Sequence, residues 1–193
     1  MNDILDPVKL SDHEFQSSDL GLVNSSGIFG ALIRPVESWK YGTTDATHTF
    51  CFMGGLIMPP SVVEQLWFMS VSPVTKYDPE QVKVWRNKKW TDLQKNQIAA
   101  KMLTLSNEPY PILKLPLNFL DCLASSILKR PCFWFTQKFS ITSFTECAQA
   151  YAWACYQVIG TDDIFGCGWR SIDPEGQDQW CENHPEDWEL VFK

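Results

Sequence analysis

TECAQAYAWACYQVI, from Thr145 to Ile159, is the stretch whose reading decides the fold. Alanines fill its turns, Thr145 stands where an N-cap belongs, and Gly160 follows the last apolar residue as a helix stop. Cys147 therefore falls in the first turn of a helix. The free backbone N–H groups and the positive end of the helix dipole there favour a thiolate and can donate to an oxyanion. Cys155 lies mid-helix in the same stretch and reads as core.

Working outward, Thr47 to Met53 (THTFCFM) is rich in β-formers and reads as a strand. Gly54-Gly55 and Pro59-Pro60 bracket a turn, Ser61 to Met69 (SVVEQLWFM) reads as the next strand, and Val82 to Arg86 as another. With a period of two, His48 shares a face with Phe50 and Phe52, and Glu64 shares one with Val62, Leu66 and Phe68. A hairpin centred in the Gly54–Pro60 turn sets His48 and Glu64 opposite or diagonal on one face. A carboxylate there accepts the imidazole N–H, fixes the tautomer and stabilises an imidazolium. The plainer alternative is a core histidine satisfied by a glutamate at a sheet edge.

Elsewhere, Leu20 to Val23 and Ile28 to Ile33 are apolar, flanking a turn-prone Asn24-Ser25-Ser26-Gly27. Trp90 to Leu105 reads as a helix with Thr91 as N-cap and Leu93, Gln97, Ala100 and Leu103 at helical spacing. Leu117 to Leu128 reads as a second helix. The tail from Gly166 reads as loops ending in a strand at Glu189 to Phe192. A few antiparallel strands with helices at the edges make an α+β domain over 18–193, preceded by a polar N-terminal extension over 1–17.

The chain carries sixteen Lys+Arg against twenty-three Asp+Glu, a formal charge of −7, and no basic cluster, which argues against nucleic acid as a partner. Met1 to Leu10 carries two Asp and no long apolar stretch and does not read as a secretory signal. The most apolar region, Ile112 to Leu128, is broken by Lys114, Pro116 and Asp121, so the expectation is cytoplasmic synthesis and no transmembrane segment. Seven cysteines without a framework rhythm predict no disulfides. Cys167, Cys181 and His184 are the competing use of sulfur, as three zinc ligands, but no tight C-x-x-C pair or fourth ligand accompanies them; no metal or cofactor is expected.

The order of these features resembles the permuted NlpC-type papain-like hydrolases, the YiiX-like group related to lecithin retinol acyltransferase. The family's opening "Gly-Asp-hydrophobic" segment is similar to Ser18-Asp19-Leu20-Gly21-Leu22-Val23, with Ser in place of Gly. Its His strand is similar to Ala46-Thr47-His48-Thr49-Phe50, its apolar-apolar-Glu motif to Val62-Val63-Glu64, and its strand ending in Arg to Val82 through Arg86. A helix and a Tyr-containing segment follow, as in Thr91 to Leu105 and Glu108-Pro109-Tyr110, then a run into Cys at a helix start, as in Phe144-Thr145-Glu146-Cys147. Pro185-Glu186-Asp187 resembles the closing segment. Ala148-Gln149 stands where the family often has Ser-Glu, so nothing about substrate contacts carries over there.

The resemblance implies a circularly permuted papain-like fold, an antiparallel sheet with a central helix carrying the nucleophile. It implies a Cys147–His48–Glu64 hydrolase acting on amides or peptides, bacterial cell-wall peptides foremost, and equally permits lipid acyl transfer or thioester cleavage. From a different class, the alternative is a non-catalytic structural or binding module that keeps the fold inside a larger assembly such as a virus particle.

Overall fold

The computed structural model describes residues 9–24, 45–56, 60–65, 68–106 and 146–193, with scattered positions between them. Six strands, β1 (Ser17–Val23), β2 (His48–Met53), β3 (Ser61–Gln65), β4 (Met69–Pro73), β5 (Val82–Asn87) and β6 (Trp188–Phe192), form one sheet in the order β4-β3-β2-β1-β5-β6. Every neighbouring pair is antiparallel. Three α-helices are described: α1 (Asp92–Thr104), α2 (Cys147–Ile159) and α3 (Pro174–Asn183). The domain is therefore α+β. Among the described residues no helix is long and apolar enough to cross a membrane.

Side chains alternate along β2, and the two faces of the sheet are sealed separately. Cys51 and Met53, with Leu20, Leu22 and Val63, pack under Ile98 and Met102 of α1 and Ala150, Tyr151 and Cys155 of α2. Phe50 and Phe52, with Val62 and Val84, pack on the other face against Leu10, Val74 and Phe15. Burying each such side chain contributes about 1.5–3 kcal/mol, so both faces of the central strands are held.

Helix α2 begins at Cys147, and its N-cap is Glu146, whose backbone N–H donates to Gln149 Oε1 at 3.5 Å. The cap expected at Thr145 lies outside the described residues. Gly160 ends the helix at φ 84°, a left-handed stop that costs glycine little. In α1 the Thr91 cap holds, with a reciprocal bond to Gln94, and the inward face is not the row of Leu93, Gln97 and Ala100. Lys95, Ile98, Ala99 and Met102 are buried, while Leu93 is 67% exposed. Lys95 turns inward because its ammonium donates to Gln16 Oε1 at 2.7 Å.

Two further expectations are corrected. The run from Ser61 to Met69 is not one strand: β3 stops at Gln65, which pairs directly with Met69 at the start of β4, so the chain reverses inside the apolar run. The tail is not all loop. It contains α3, capped by Asp173, whose side chain accepts from the Gly176 N–H at 2.8 Å, with Pro174 at the first helical position. Of the helix expected over Leu117–Leu128, positions 117–119, 122 and 126 lie outside the described residues, and the described positions from Leu120 to Leu128 are helical. The segment Ile28–Ile33 lies outside them.

Strand β1 enters the sheet through an irregularity between Ser17 and Leu20, where Ser18 adopts φ 63°. The resembling family has glycine at this position. A side chain in this region costs about 1–2 kcal/mol, and the strain is held here by the Tyr151 hydroxyl, which donates to the Ser18 carbonyl at 2.6 Å. Ser18→Gly is expected to raise stability by about 0.5–1 kcal/mol, less than the full relief because glycine also loosens the unfolded chain. Denaturant midpoints of wild type and variant check this; a lower midpoint for the glycine variant contradicts it.

Candidate active site

Glu64 pairs with Phe50 across β2 and β3, which puts His48 on the diagonal of the same face. The two side chains meet as expected, His48 Nε2 lying 3.2 Å from Glu64 Oε2. His48 opens β2 and Cys147 opens α2, and the sulfur lies near enough to the imidazole to raise its pKa. All three side chains named from sequence thus converge. The place is nearly closed to solvent: Glu64 is 0%, Cys147 6% and His48 7% exposed.

Burial opposes charge on His48, but the sulfur of Cys147, through charge and hydrogen bond, and then Glu64 raise its pKa to about 9. Burial likewise opposes charge on Glu64, and the hydrogen bond and charge of His48 with the hydrogen bond of Lys76 overcome it, holding the carboxyl at about 2. Glu64 is therefore an anion that holds the imidazole as an imidazolium. The other buried thiols are different. Burial pushes Cys51, Cys155 and Cys181 up, which leaves them as packed, unreactive groups.

Two residues that sequence reasoning missed complete the surroundings of Glu64. Lys76 Nζ donates to Oε1 and the Tyr77 hydroxyl donates to Oε2. Burial and the neighbouring carboxylate push the Tyr77 pKa up, so the phenol stays a donor. Its ring stacks on Phe50 at 4.5 Å between centroids. Phe50 in turn lies over Gly21, where a Cβ would come within 1.9 Å of the ring. The missing side chain on β1 is thus what lets Phe50 settle and prop Tyr77 toward Glu64.

Helix α3 supplies the other support. Gln177 is fully buried; its Oε1 accepts from the Thr49 hydroxyl at 2.8 Å and its Nε2 donates to the Ala148 carbonyl at 3.1 Å. Thr49 follows His48 and Ala148 follows Cys147, so one amide links the side chain next to the base with the backbone next to the sulfur. Glu175 Oε2 accepts the Asp45 and Ala46 N–H groups at 2.7 and 3.1 Å, anchoring the entry to β2. Asp178 takes Lys83 Nζ at 2.6 Å and Trp85 Nε1 at 2.7 Å, docking α3 on β5. Away from the site, Arg86 of β5 forms a bidentate pair with Asp19 of β1 at 2.9 and 2.6 Å, joining the two strands.

Cys167, Cys181 and His184 do not assemble as ligands. Among the described residues no group of three or more His, Cys, Asp or Glu side chains could hold a metal ion. His184 instead stacks on Trp180 and pairs its Nδ1 with the Trp180 carbonyl at 2.8 Å. Cys51, Cys147, Cys155 and Cys181 are free thiols; Cys122 and Cys132 lie outside the described residues.

No protein-family model matches the chain, and a search of curated proteins finds no significant match. Among solved structures the chain is similar to YiiX of Escherichia coli O157:H7, which is described as a metalloprotein. The two share 13% identity with a TM-score of 0.53, over 77% of this chain and 69% of that one. That likeness extends to the fold.

Proposed function

We propose that this chain is a cysteine hydrolase with a circularly permuted, NlpC-type papain-like fold, in which Cys147 is the nucleophile, His48 the base and Glu64 the residue that orients it. The observation that carries the reading is the placement of one imidazole between a buried carboxylate and a thiol at the start of a helix. The YiiX fold and the order His, Glu, Cys along the chain support it.

With Nε2 committed to Glu64, Nδ1 is the nitrogen left to take the proton of Cys147. The resulting thiolate attacks an acyl carbonyl carbon, and the carbonyl π electrons move to oxygen. The backbone N–H of Cys147, which has no partner within its own helix, faces that oxyanion. Collapse expels the leaving group, which takes its proton from the His48 imidazolium. Water, deprotonated by the now neutral His48, then attacks the thioester and releases the acid. Glu64 stabilises the imidazolium through each step. The substrate class is an amide or peptide, with cell-wall peptides foremost; lipid esters and thioesters follow the same chemistry. YiiX is called a metalloprotein, but the described residues here offer no ligand set, and no step above passes through a metal.

The test is alkylation by iodoacetamide at pH 6, mapped by peptide mass spectrometry. An ordinary thiol is less than about 1% ionised there, so Cys147 should react about tenfold or more faster than the free thiol of a short peptide. His48→Ala should abolish that advantage. Cys147 reacting no faster than the peptide would overturn the catalytic reading in favour of a structural module that keeps the fold.

A further inference from the structure

The charges around Glu64 do not stop at three residues. The carboxylate has two oxygens and three donors: His48 Nε2 and the Tyr77 hydroxyl on Oε2, and Lys76 Nζ on Oε1. Lys76 is not a loose surface lysine that happens to fold back. It ends a short turn, Val74–Lys76, whose Val74 is buried and donates its N–H to the Pro60 carbonyl at 3.1 Å, beside the start of β3. The Tyr77 N–H closes the turn on the Val74 carbonyl at 3.1 Å. The ammonium also lies 3.4 Å from Ser72 Oγ and 5.0 Å from the Tyr77 ring centroid, with the Lys76 side chain only 30% exposed.

This arrangement has an electrostatic consequence. With the thiolate–imidazolium pair formed, Cys147, His48 and Glu64 together carry one net negative charge in a nearly dry site. The Lys76 ammonium brings that cluster to neutrality. It also competes with the imidazolium for the same carboxylate, one cation on each oxygen. From the geometry we infer that Lys76 is a positioning residue: it pins Glu64 from the side away from His48 and, through the shared carboxylate, sets the pH range over which His48 stays protonated. This rests on the triad proposed above and adds a fourth member that does not touch substrate. The groups facing this cluster are His48 from β2, Glu64 from β3, Ser72 from β4, Lys76 and Tyr77 from the turn after it, and Cys147 from α2. Lys76 and the imidazolium are the two cations among them.

Removing the ammonium leaves the Glu64 charge wholly to His48, so the imidazolium is favoured and its titration moves to higher pH. Arg in place of Lys keeps the charge. The experiment is a pH titration of the histidine ring resonances by NMR in wild type, Lys76→Met, Lys76→Gln and Lys76→Arg. The chain has only three histidines, and His48→Ala assigns the signal. The Met and Gln variants should raise the His48 midpoint by about one pH unit, and Arg should hold it within a few tenths. Thermal melts verify that each variant is folded, with Gln, which keeps a hydrogen-bond donor, as the gentler change should Met fail.

An unmoved midpoint in the Met and Gln variants overturns the inference. A shift as large in Arg as in Met overturns it too, because the effect is then packing rather than charge. The readout needs no turnover and separates the two readings. A wild-type His48 midpoint near the ordinary value of 6.5 counts against the triad itself; a raised wild-type midpoint that ignores Lys76 removes only the fourth member.

Discussion

Cys147→Ser and His48→Ala are each expected to reduce hydrolysis of a responsive substrate by about 10⁴- to 10⁶-fold, whereas Glu64→Gln costs about a hundredfold less than either. The ranking follows from three unequal roles. A serine hydroxyl is far harder to ionise than a thiol beside the same imidazole, so the nucleophile is lost. His48→Ala removes both the base of the first step and the acid of the second. Glu64→Gln keeps a carbonyl oxygen that can accept from His48 Nε2 and Tyr77 in place of Oε2, but turns its NH₂ toward the Lys76 ammonium and loses the charge that stabilises the imidazolium. Because the three act as one unit, the double variant Cys147→Ser/His48→Ala should be little worse than either single change. Purified proteins assayed on peptide, ester and thioester panels provide the measurement. An activity that survives Cys147→Ser intact contradicts the mechanism.

How much of this could be read from the sequence depended on where the stabilising contacts are apolar. Helix α2 was legible because its alanines and its glycine stop state their preference locally. The diagonal of His48 and Glu64 was legible because two β-rich runs flank a Gly/Pro turn and alternation does the rest. Helix α3 was not. Its residues Pro-Glu-Gly-Gln-Asp-Gln offer no hydrophobic stripe, because the face it buries is polar: Glu175, Gln177 and Asp178 each pair with another element. Only the Asp173-Pro174 start signalled a helix there. Lys76 and Tyr77 were illegible for a related reason. They reach Glu64 from a turn whose place is set by a backbone bond between Val74 and Pro60, a contact that no side-chain pattern encodes. The same holds for Lys95, whose burial follows from one hydrogen bond to Gln16 rather than from helical periodicity.

The stability that Glu64 contributes should itself depend on pH, with a definite shape. The Glu64 carboxyl is moved from 4.5 to about 2 in the folded state, so its contribution is fully present above pH 4.5 and is lost as pH falls through 2. His48 is moved the other way, from 6.5 to about 9, so its contribution is fully present below pH 6.5 and is lost as pH rises through 9. Both shifts contain the same His48–Glu64 attraction, which is counted once. A carboxyl held at about 2 instead of 4.5 is worth about 3 kcal/mol. The stability difference between wild type and Glu64→Gln is therefore expected to reach about 3 kcal/mol between pH 4.5 and 6.5 and to shrink on both sides. Toward pH 2 it should fall close to zero, because the protonated carboxyl and the amide are then both neutral. Above pH 9 it should fall only part way, because the lysine ammonium and the tyrosine hydroxyl still hold the carboxylate after the imidazolium has lost its proton. Urea unfolding of both proteins at pH 3, 5.5, 8 and 10, followed by tryptophan fluorescence, measures the curve. A difference that stays flat from pH 3 to pH 10 would mean that Glu64 is held by packing alone and that the buried ion pair with His48 does not form.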